Sequence, residues 1–325
     1  MPGVIAMTGA TGFAGRPAVN ELLARGHSLR VLARDPSRAG LPAAVQVVPG
    51  DLGSTDALRS LAAGADVMVH LAGSISAVRR ADYFRVNEAG AAAVAEAARD
   101  AGVRRFIHIS SLAAREPGLS DYGASKQAGE EAVKRAGLKM PVLIIRPPAV
   151  YGPGDRATLP LLKSLISNPA VIPSSRQSRF SLIHVHDLAR LIADAAENQI
   201  TGLAELSDGT PGGYAWSDLI RISSEVEGRA IRPVFLPRGF VQMVALAADG
   251  VARLTGKPGM VSRSKVGELY HPDWISAPGP LSLSDPITFA RGFPETLKWY
   301  RDAGWLPRAA GADTSRPKPR SEAPP

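Results

Sequence analysis

A doubly wound α/β fold, with a smaller α/β region following it, is predicted by three observations. Between Val4 and Arg146 short β-branched runs alternate with longer alanine-rich stretches, the texture of a parallel sheet covered on both faces. Glycines stand where those longer stretches end. A glycine-rich turn follows the first run directly, at Gly9, Gly12 and Gly15. In chain order, the apolar runs predict strands over 4–7, 29–33, 45–48, 67–70, 105–109 and 142–145. Helices are expected between them over 13–25, 55–63, 81–101 and 122–136. Gly26, Gly64, Gly102 and Gly137 occupy the positions just past these helices, where glycine enters the left-handed region without penalty.

After Pro147 prolines at 148, 153, 160, 169 and 173 break the alternation, so residues 1–150 read as one domain, to which some later segments return, and 151–307 as a second region. Helices are expected there over 186–197, 216–227, 239–254 and 287–303, with strands over 203–206 and 232–236. Residues 308–325, rich in Pro, Ala, Ser and charge, read as a disordered tail.

The 325 residues are 45% hydrophobic, enough for a large core, and contain no cysteine, which excludes disulfides, thiolate metal sites and a cysteine nucleophile. The formal charge of +8 is scattered rather than gathered into a basic stripe with aromatics, pointing to an anionic small ligand and not to nucleic acid. The apolar run 240–254 is interrupted by Gln242, Asp249 and Arg253 and is too short to span a bilayer. Core packing is its simplest reading, with peripheral membrane contact or a cover over an apolar substrate as the second. Met1 leads within a few residues into the glycine turn, leaving no space for a charged and apolar leader, so a cytoplasmic protein is expected.

The segment from Thr8 to Gly15 is spaced GxxGxxG in a strand-turn-helix context, with Thr11 and Phe13 between the glycines. Such a turn lets backbone approach a pyrophosphate at a helix N-terminus, which identifies a Rossmann-type dinucleotide site. At the end of the second strand an acidic residue would suit the ribose of NAD, whereas arginine suits the 2′-phosphate of NADP. Arg34 and Arg38 flank Asp35 here, and NADP is expected over NAD.

Tyr122 and Lys126 stand four apart on one helix face. A phenol with a pKa near 10 needs a neighbouring cation to exchange protons usefully near neutrality, and Lys126 can supply it while holding the nicotinamide ribose. Ser110 and Ser111 end the fifth strand, and Ser111 is the better placed hydroxyl for a substrate carbonyl. His184, His186 and Asp187 lack the setting of a metal site, and no metal is expected; Asp187 reads as a helix cap. His70 and His108 fall in strands and read as packing residues. Trp216, Trp274, Trp299 and Trp305 read as core or pocket wall.

Taken in order, the glycine turn, Arg34, Gly50-Asp51-Leu52, His70-Leu71-Ala72-Gly73, Asn87, Ser110-Ser111, Tyr122 with Lys126, and Arg146-Pro147-Pro148-Ala149-Val150-Tyr151-Gly152-Pro153 resemble the extended short-chain dehydrogenase/reductases, over about residues 3–306. The resemblance implies that Asp51 and Leu52 contact the adenine and that Leu71, Ala72, Gly73 and Asn87 line the cofactor. It also implies that the backbone at Pro147 and Val150 meets the nicotinamide and that the chain forms a homodimer. It further implies one of two outcomes for the same Tyr/Lys/Ser set: a single hydride transfer, or oxidation and reduction coupled in one turnover. The Arg34 turn, the apolar 240–254 run, and Thr255-Gly256-Lys257-Pro258 with Ser264 to Leu269 resemble the 3β-hydroxysteroid dehydrogenase and dihydroflavonol reductase branch. The expectation is interconversion of a ketone and a secondary alcohol on an apolar or polycyclic small molecule. Leu112 and Ala113 follow Ser111 where a dehydratase needs an acid. Two alternatives stand beside it: a sugar-nucleotide epimerase with retained NAD, using Arg156, Arg176 and Arg179 on a pyrophosphate, and a non-catalytic dinucleotide-binding accessory subunit like that of respiratory complex I.

Overall fold

The computed structural model describes residues 3–136, 140–256 and 262–307. The first half comprises β1 (Val4–Thr8), α1 (Gly15–Ala24), β2 (Ser28–Ala33), β3 (Gln46–Pro49), α2 (Thr55–Ala62), β4 (Val67–His70), α3 (Arg80–Phe84), α4 (Gly90–Asp100), β5 (Arg105–Ile109), α5 (Asp121–Ala136) and β6 (Val142–Arg146). Then follow β7 (Ala149–Tyr151), α6 (Leu159–Leu165), β8 (Ala170–Ile172), β9 (Arg179–Phe180), β10 (Leu182–His184), α7 (Val185–Glu197) and β11 (Gly202–Glu205). The last elements are β12 (Tyr214–Ala215), α8 (Trp216–Glu227), β13 (Pro233–Phe235), α9 (Arg238–Thr255), α10 (Arg263–Leu269), β14 (Asp273–Trp274) and α11 (Phe289–Asp302).

Seven parallel strands form the main sheet in the order β11-β6-β5-β4-β1-β2-β3. The strand order reverses between β1 and β4, which opens a crevice beyond their carboxyl ends, at Thr8 and His70. Alternation along β1 explains the two cores. Ile5 and Met7 pack with Val19, Leu22, Leu188 and Ile192 on the α1/α7 face. Ala6 packs with Leu61, Val94, Phe106 and Val133 on the α2/α4/α5 face. A third core, with Tyr151, Leu165, Trp216, Phe289 and Phe293, holds the later region together.

Gly26, Gly64 and Gly102 have φ of 83°, 67° and 70°, as their place past helix ends requires. Four expectations are corrected. The helix expected over 81–101 is interrupted at Arg85–Ala89 by a π-helical turn, which turns Asn87 inward until it is 1% exposed. The strand expected over 203–206 in the second region is β11, the outer strand of the main sheet beside β6. Asp187 is not the cap of α7. His184 is, its ring nitrogen accepting from the His186 N–H, while buried Asp187 sits in the first turn and accepts from Arg190 (2.7 Å) and the Ile287 N–H (2.5 Å). Finally, α6, α10 and the short strands β7, β8, β9, β10, β12 and β14 were not expected, because each is too short to carry a period of its own. The expectations for Gly137, Lys257, Pro258 and the tail 308–325 lie outside the described residues.

Candidate active site

A cleft of about 2520 Å³ runs from the glycine turn to the second region. That exceeds the few hundred to 1,000 Å³ of an ordinary ligand pocket, so there is space for a dinucleotide and a second ligand together. Its wall includes Gly9, Thr11, Gly12, Phe13, Arg34, Asp51, Leu52, Leu71, Ala72, Gly73, Asn87, Ser111, Tyr122, Lys126, Pro147 and Val150, all singled out from sequence. Gly15 and Arg38 are not on the wall. Gly15 is a packing position, where a Cβ would stand 2.1 Å from the Gly9 carbonyl oxygen. Asp35 caps the single turn Pro36–Arg38 through the Ser37 N–H (3.0 Å) and hydroxyl (2.6 Å), and this turn sets Arg38 off the wall, exposed.

The turn fits a pyrophosphate. Gly9 has φ 77°, and a Cβ there would fall 2.5 Å from the Ala72 nitrogen, so the strand ends β1 and β4 close only over glycine. Helix α1 begins with no side-chain cap and no acidic residue in its first turn, leaving its N-terminal dipole to a ligand. Thr8 braces the floor, accepting from the Ala72 N–H (3.3 Å) and pairing with His70 Nδ1 (2.7 Å). Arg16, which sequence reasoning missed, ties α1 to the loop after β2 through the carbonyls of Ala39 (2.9 Å) and Gly40 (2.6 Å). Among the described residues neither Arg34 nor Arg38 forms a side-chain hydrogen bond or an ion pair.

At the other end of the cleft Asn87 is a clamp. Its Oδ1 accepts from the Ser74 N–H (2.7 Å), and its Nδ2 donates to the Ser74 carbonyl (3.0 Å) and to Ser125 Oγ (2.8 Å), one residue before Lys126. Lys126 Nζ donates to the Ile109 carbonyl (2.9 Å), and burial lowers its pKa to about 8, opposed by the charge of Glu130. Glu130, one turn further along α5, is fully buried; it accepts from Ser110 Oγ (2.5 Å) and pairs in bidentate fashion with Arg146 (2.8 and 2.7 Å). Its i+4 spacing from Lys126 was the available signal.

Tyr122 lies in the first turn of α5, where burial pushes its pKa up to about 12 and a hydrogen bond to Ser111 works against that rise. Burial outweighs that contact, and the phenol stays protonated at neutral pH. Tyr83 packs its ring 6.4 Å from that of Tyr122. From the second region Lys265 and Glu268 on α10 join the wall, and Glu268 accepts a hydrogen bond from Ser120, the residue preceding α5. His70 and His108 are buried and stacked at 5.3 Å, and burial lowers His70 to about 3. Of the arginines an epimerase would need, Arg156 stacks on Trp305 (4.7 Å) and Arg176 on Phe235 (4.7 Å), while Arg179 donates to the Gly212 carbonyl (2.9 Å) and the Gly213 carbonyl (3.2 Å).

The NAD dependent epimerase/dehydratase family matches residues 5–204. The chain is 44% identical to the ceramide reductase of Caulobacter vibrioides over 310 residues, 94% of this chain and 97% of the relative. It is 34% identical to sterol demethylase protein B of Methylococcus capsulatus, covering 92% and 99% of the two chains. Among solved structures, MoeE5 in complex with UDP-glucose and NAD superposes with a TM-score of 0.69 at 21% identity, covering 92% of this chain and 98% of the other, a likeness of fold. The chain belongs to the NAD dependent epimerase/dehydratase family and is an NAD(P)-dependent oxidoreductase of its extended short-chain type.

Proposed function

We propose that this protein reduces a ketone on a ceramide-like lipid, with NADPH as the hydride donor, and that Ser111, Tyr122 and Lys126 are its catalytic residues. The observation that carries this reading is that Ser111, Tyr122 and Lys126 line one wall of the cofactor cleft together, with the Tyr122 phenol held above its ordinary pKa by desolvation and so protonated at neutral pH. A protonated phenol is a general acid, which reduction of a carbonyl requires. The Ser111 hydroxyl and the Tyr122 phenol both donate to the substrate oxygen and hold it in place. NADPH, when bound, supplies the hydride to the carbonyl carbon. Tyr122 gives its proton to the oxygen as charge develops there, and a secondary alcohol results. Lys126, cationic below about pH 8, favours the phenolate left behind, and the Asn87–Ser125 contact keeps α5 in register with the Ser74 loop.

NADPH rather than NADH is supported by Arg34, which lines the cleft with no side-chain partner among the described residues, and by Asp35, whose carboxylate is taken up by Ser37. The lipid class is supported by the 44% identity to a ceramide reductase along nearly the whole chain. Arg179, held by the Gly212 and Gly213 carbonyls, weighs against its use on a sugar-nucleotide pyrophosphate. The test is NADPH consumption with a 3-oxo long-chain amide by wild type and Tyr122→Phe, alongside NADPH binding by each. Loss of turnover by about a thousandfold or more with binding retained is expected. Surviving turnover in Tyr122→Phe overturns the catalytic assignment, and NAD retained through purification returns the epimerase reading.

A further inference from the structure

We propose that helix α9 docks the protein on an anionic lipid bilayer. The lipid class of substrate rests on the proposed function; the docking surface itself rests on the helix. Among its described side chains α9 buries only a narrow stripe, Val241, Ala245 and Ala252, and not the broad core face expected of the run 240–254; the first two pack with Val266 of α10. The outward residues are apolar as well: Met243 is 65% exposed, Leu246 57%, Val251 59% and Leu254 90%, with Phe240 and Val244 near half. Isolated exposed hydrophobics are ordinary on a protein surface. Six on one helix about 27 Å long form a continuous strip and mark an interaction face.

Charge identifies the occupant. Between positions 232 and 263 the sequence carries five Lys or Arg residues and a single acidic one, Asp249. The Asp249 carboxylate accepts the Arg263 N–H (3.1 Å). Arg238 and Arg263 are exposed and form no ion pair among the described residues. An apolar helix face bordered by unpaired cations matches the acyl chains and headgroups of an anionic leaflet. A second copy of the chain would bring this basic segment against itself, which repulsion disfavours. The position also serves the cleft, because α10 lies against α9 on one side and contributes Lys265 and Glu268 to the cleft wall on the other.

The test is flotation of the full chain with vesicles of phosphatidylcholine alone or mixed with phosphatidylglycerol, at low and high salt, without substrate. Binding to the phosphatidylglycerol vesicles that weakens with salt is expected. The triple variant Met243→Ser, Leu246→Ser, Val251→Ser should lose affinity on the order of 100-fold. Its NADPH binding should be unchanged, because these side chains are exposed. Absence of vesicle binding by wild type, or equal binding by the triple variant, overturns the proposal. So does a wild-type dimer that the triple variant converts to monomer. Vesicle binding with no turnover of the lipid ketone supports docking and sinks only the substrate reading. Turnover of the ketone in detergent without vesicle binding sinks only docking.

Discussion

Replacing Glu130 by Gln removes one charge from a buried network while keeping its shape. Glu130 is fully buried and holds Arg146 through two hydrogen bonds, and the Arg146 side chain is only 14% exposed. Breaking a buried pair from one side costs about 3–5 kcal/mol, because the other charge stays buried without its counterion. The Glu205 carboxylate, 3.7 Å from Arg146, offsets part of this, which places the loss near 3 kcal/mol. At roughly 2–4 °C per kcal/mol, the melting temperature should fall by about 6–12 °C. The same change acts on Lys126, since Glu130 is the charge that opposes the burial-driven fall of its pKa to about 8. With Glu130 neutral, Lys126 loses its proton at lower pH, so the basic limb of kcat/KM moves toward acid. Differential scanning calorimetry and a pH–rate profile on Glu130→Gln measure both effects. An unchanged melting temperature would show that the network does not carry the stability assigned to it. A basic limb that stays in place or moves to higher pH would refute the coupling to Lys126.

Three further perturbations read other parts of the cleft. Arg34→Ala should raise the KM for NADPH by about 10–100-fold, the worth of charge-assisted contacts to a phosphate, and leave NADH unaffected; equal effects on both cofactors would remove Arg34 from the 2′-phosphate. Gly15→Ala drives a methyl into the Gly9 carbonyl and should cost about 1–3 kcal/mol while weakening either cofactor, so an unperturbed variant in thermal and binding assays would contradict the close packing of the turn. His108→Leu removes an imidazole whose two ring nitrogens lack hydrogen-bond partners among the described residues and whose pKa burial holds well below 6.5. The unfolded chain takes up a proton at this histidine below pH 6.5 and the folded chain does not, so wild-type stability falls as pH drops through that range. At pH 5 the variant should gain about 2 kcal/mol relative to its standing at pH 8, and chemical denaturation showing the same difference at both pH values would exclude a neutral buried His108.

The main sheet was readable because its strands are buried on both faces and its helices end at glycines, so both signals are local. Gly9, Tyr122 and Lys126 stood out for the same reason, since each belongs to a spacing that one stretch of chain carries alone. What stayed hidden depends on contacts between distant segments. Asn87 lies in a stretch whose composition is uniformly helical, and the π-turn that buries it answers to Ser74 and Ser125 rather than to local propensity. Glu130 looks like any surface acid of a helix until Arg146 and Ser110 close over it. Asp187 has the composition of a cap, yet the chain returns at Ile287 to occupy its carboxylate, and His184 caps instead. Arg38 shows the reverse failure: its spacing from Arg34 suggested a clamp, and Asp35 folded the intervening residues into a turn.

In the proposed reduction the phenol and the lysine have separate parts. Sequence spacing suggested a lysine placed to make the phenol acidic, but in the free protein burial dominates both groups and drives them toward neutrality, Tyr122 up and Lys126 down. A neutral phenol beside the carbonyl is ready to donate, and its proton moves as growing negative charge makes the substrate oxygen a stronger base. The cost of the resulting phenolate is then met by a lysine that Glu130 keeps cationic. Glu130 itself makes no contact with substrate in this scheme, which is why its removal should appear in the pH profile before it appears in substrate affinity.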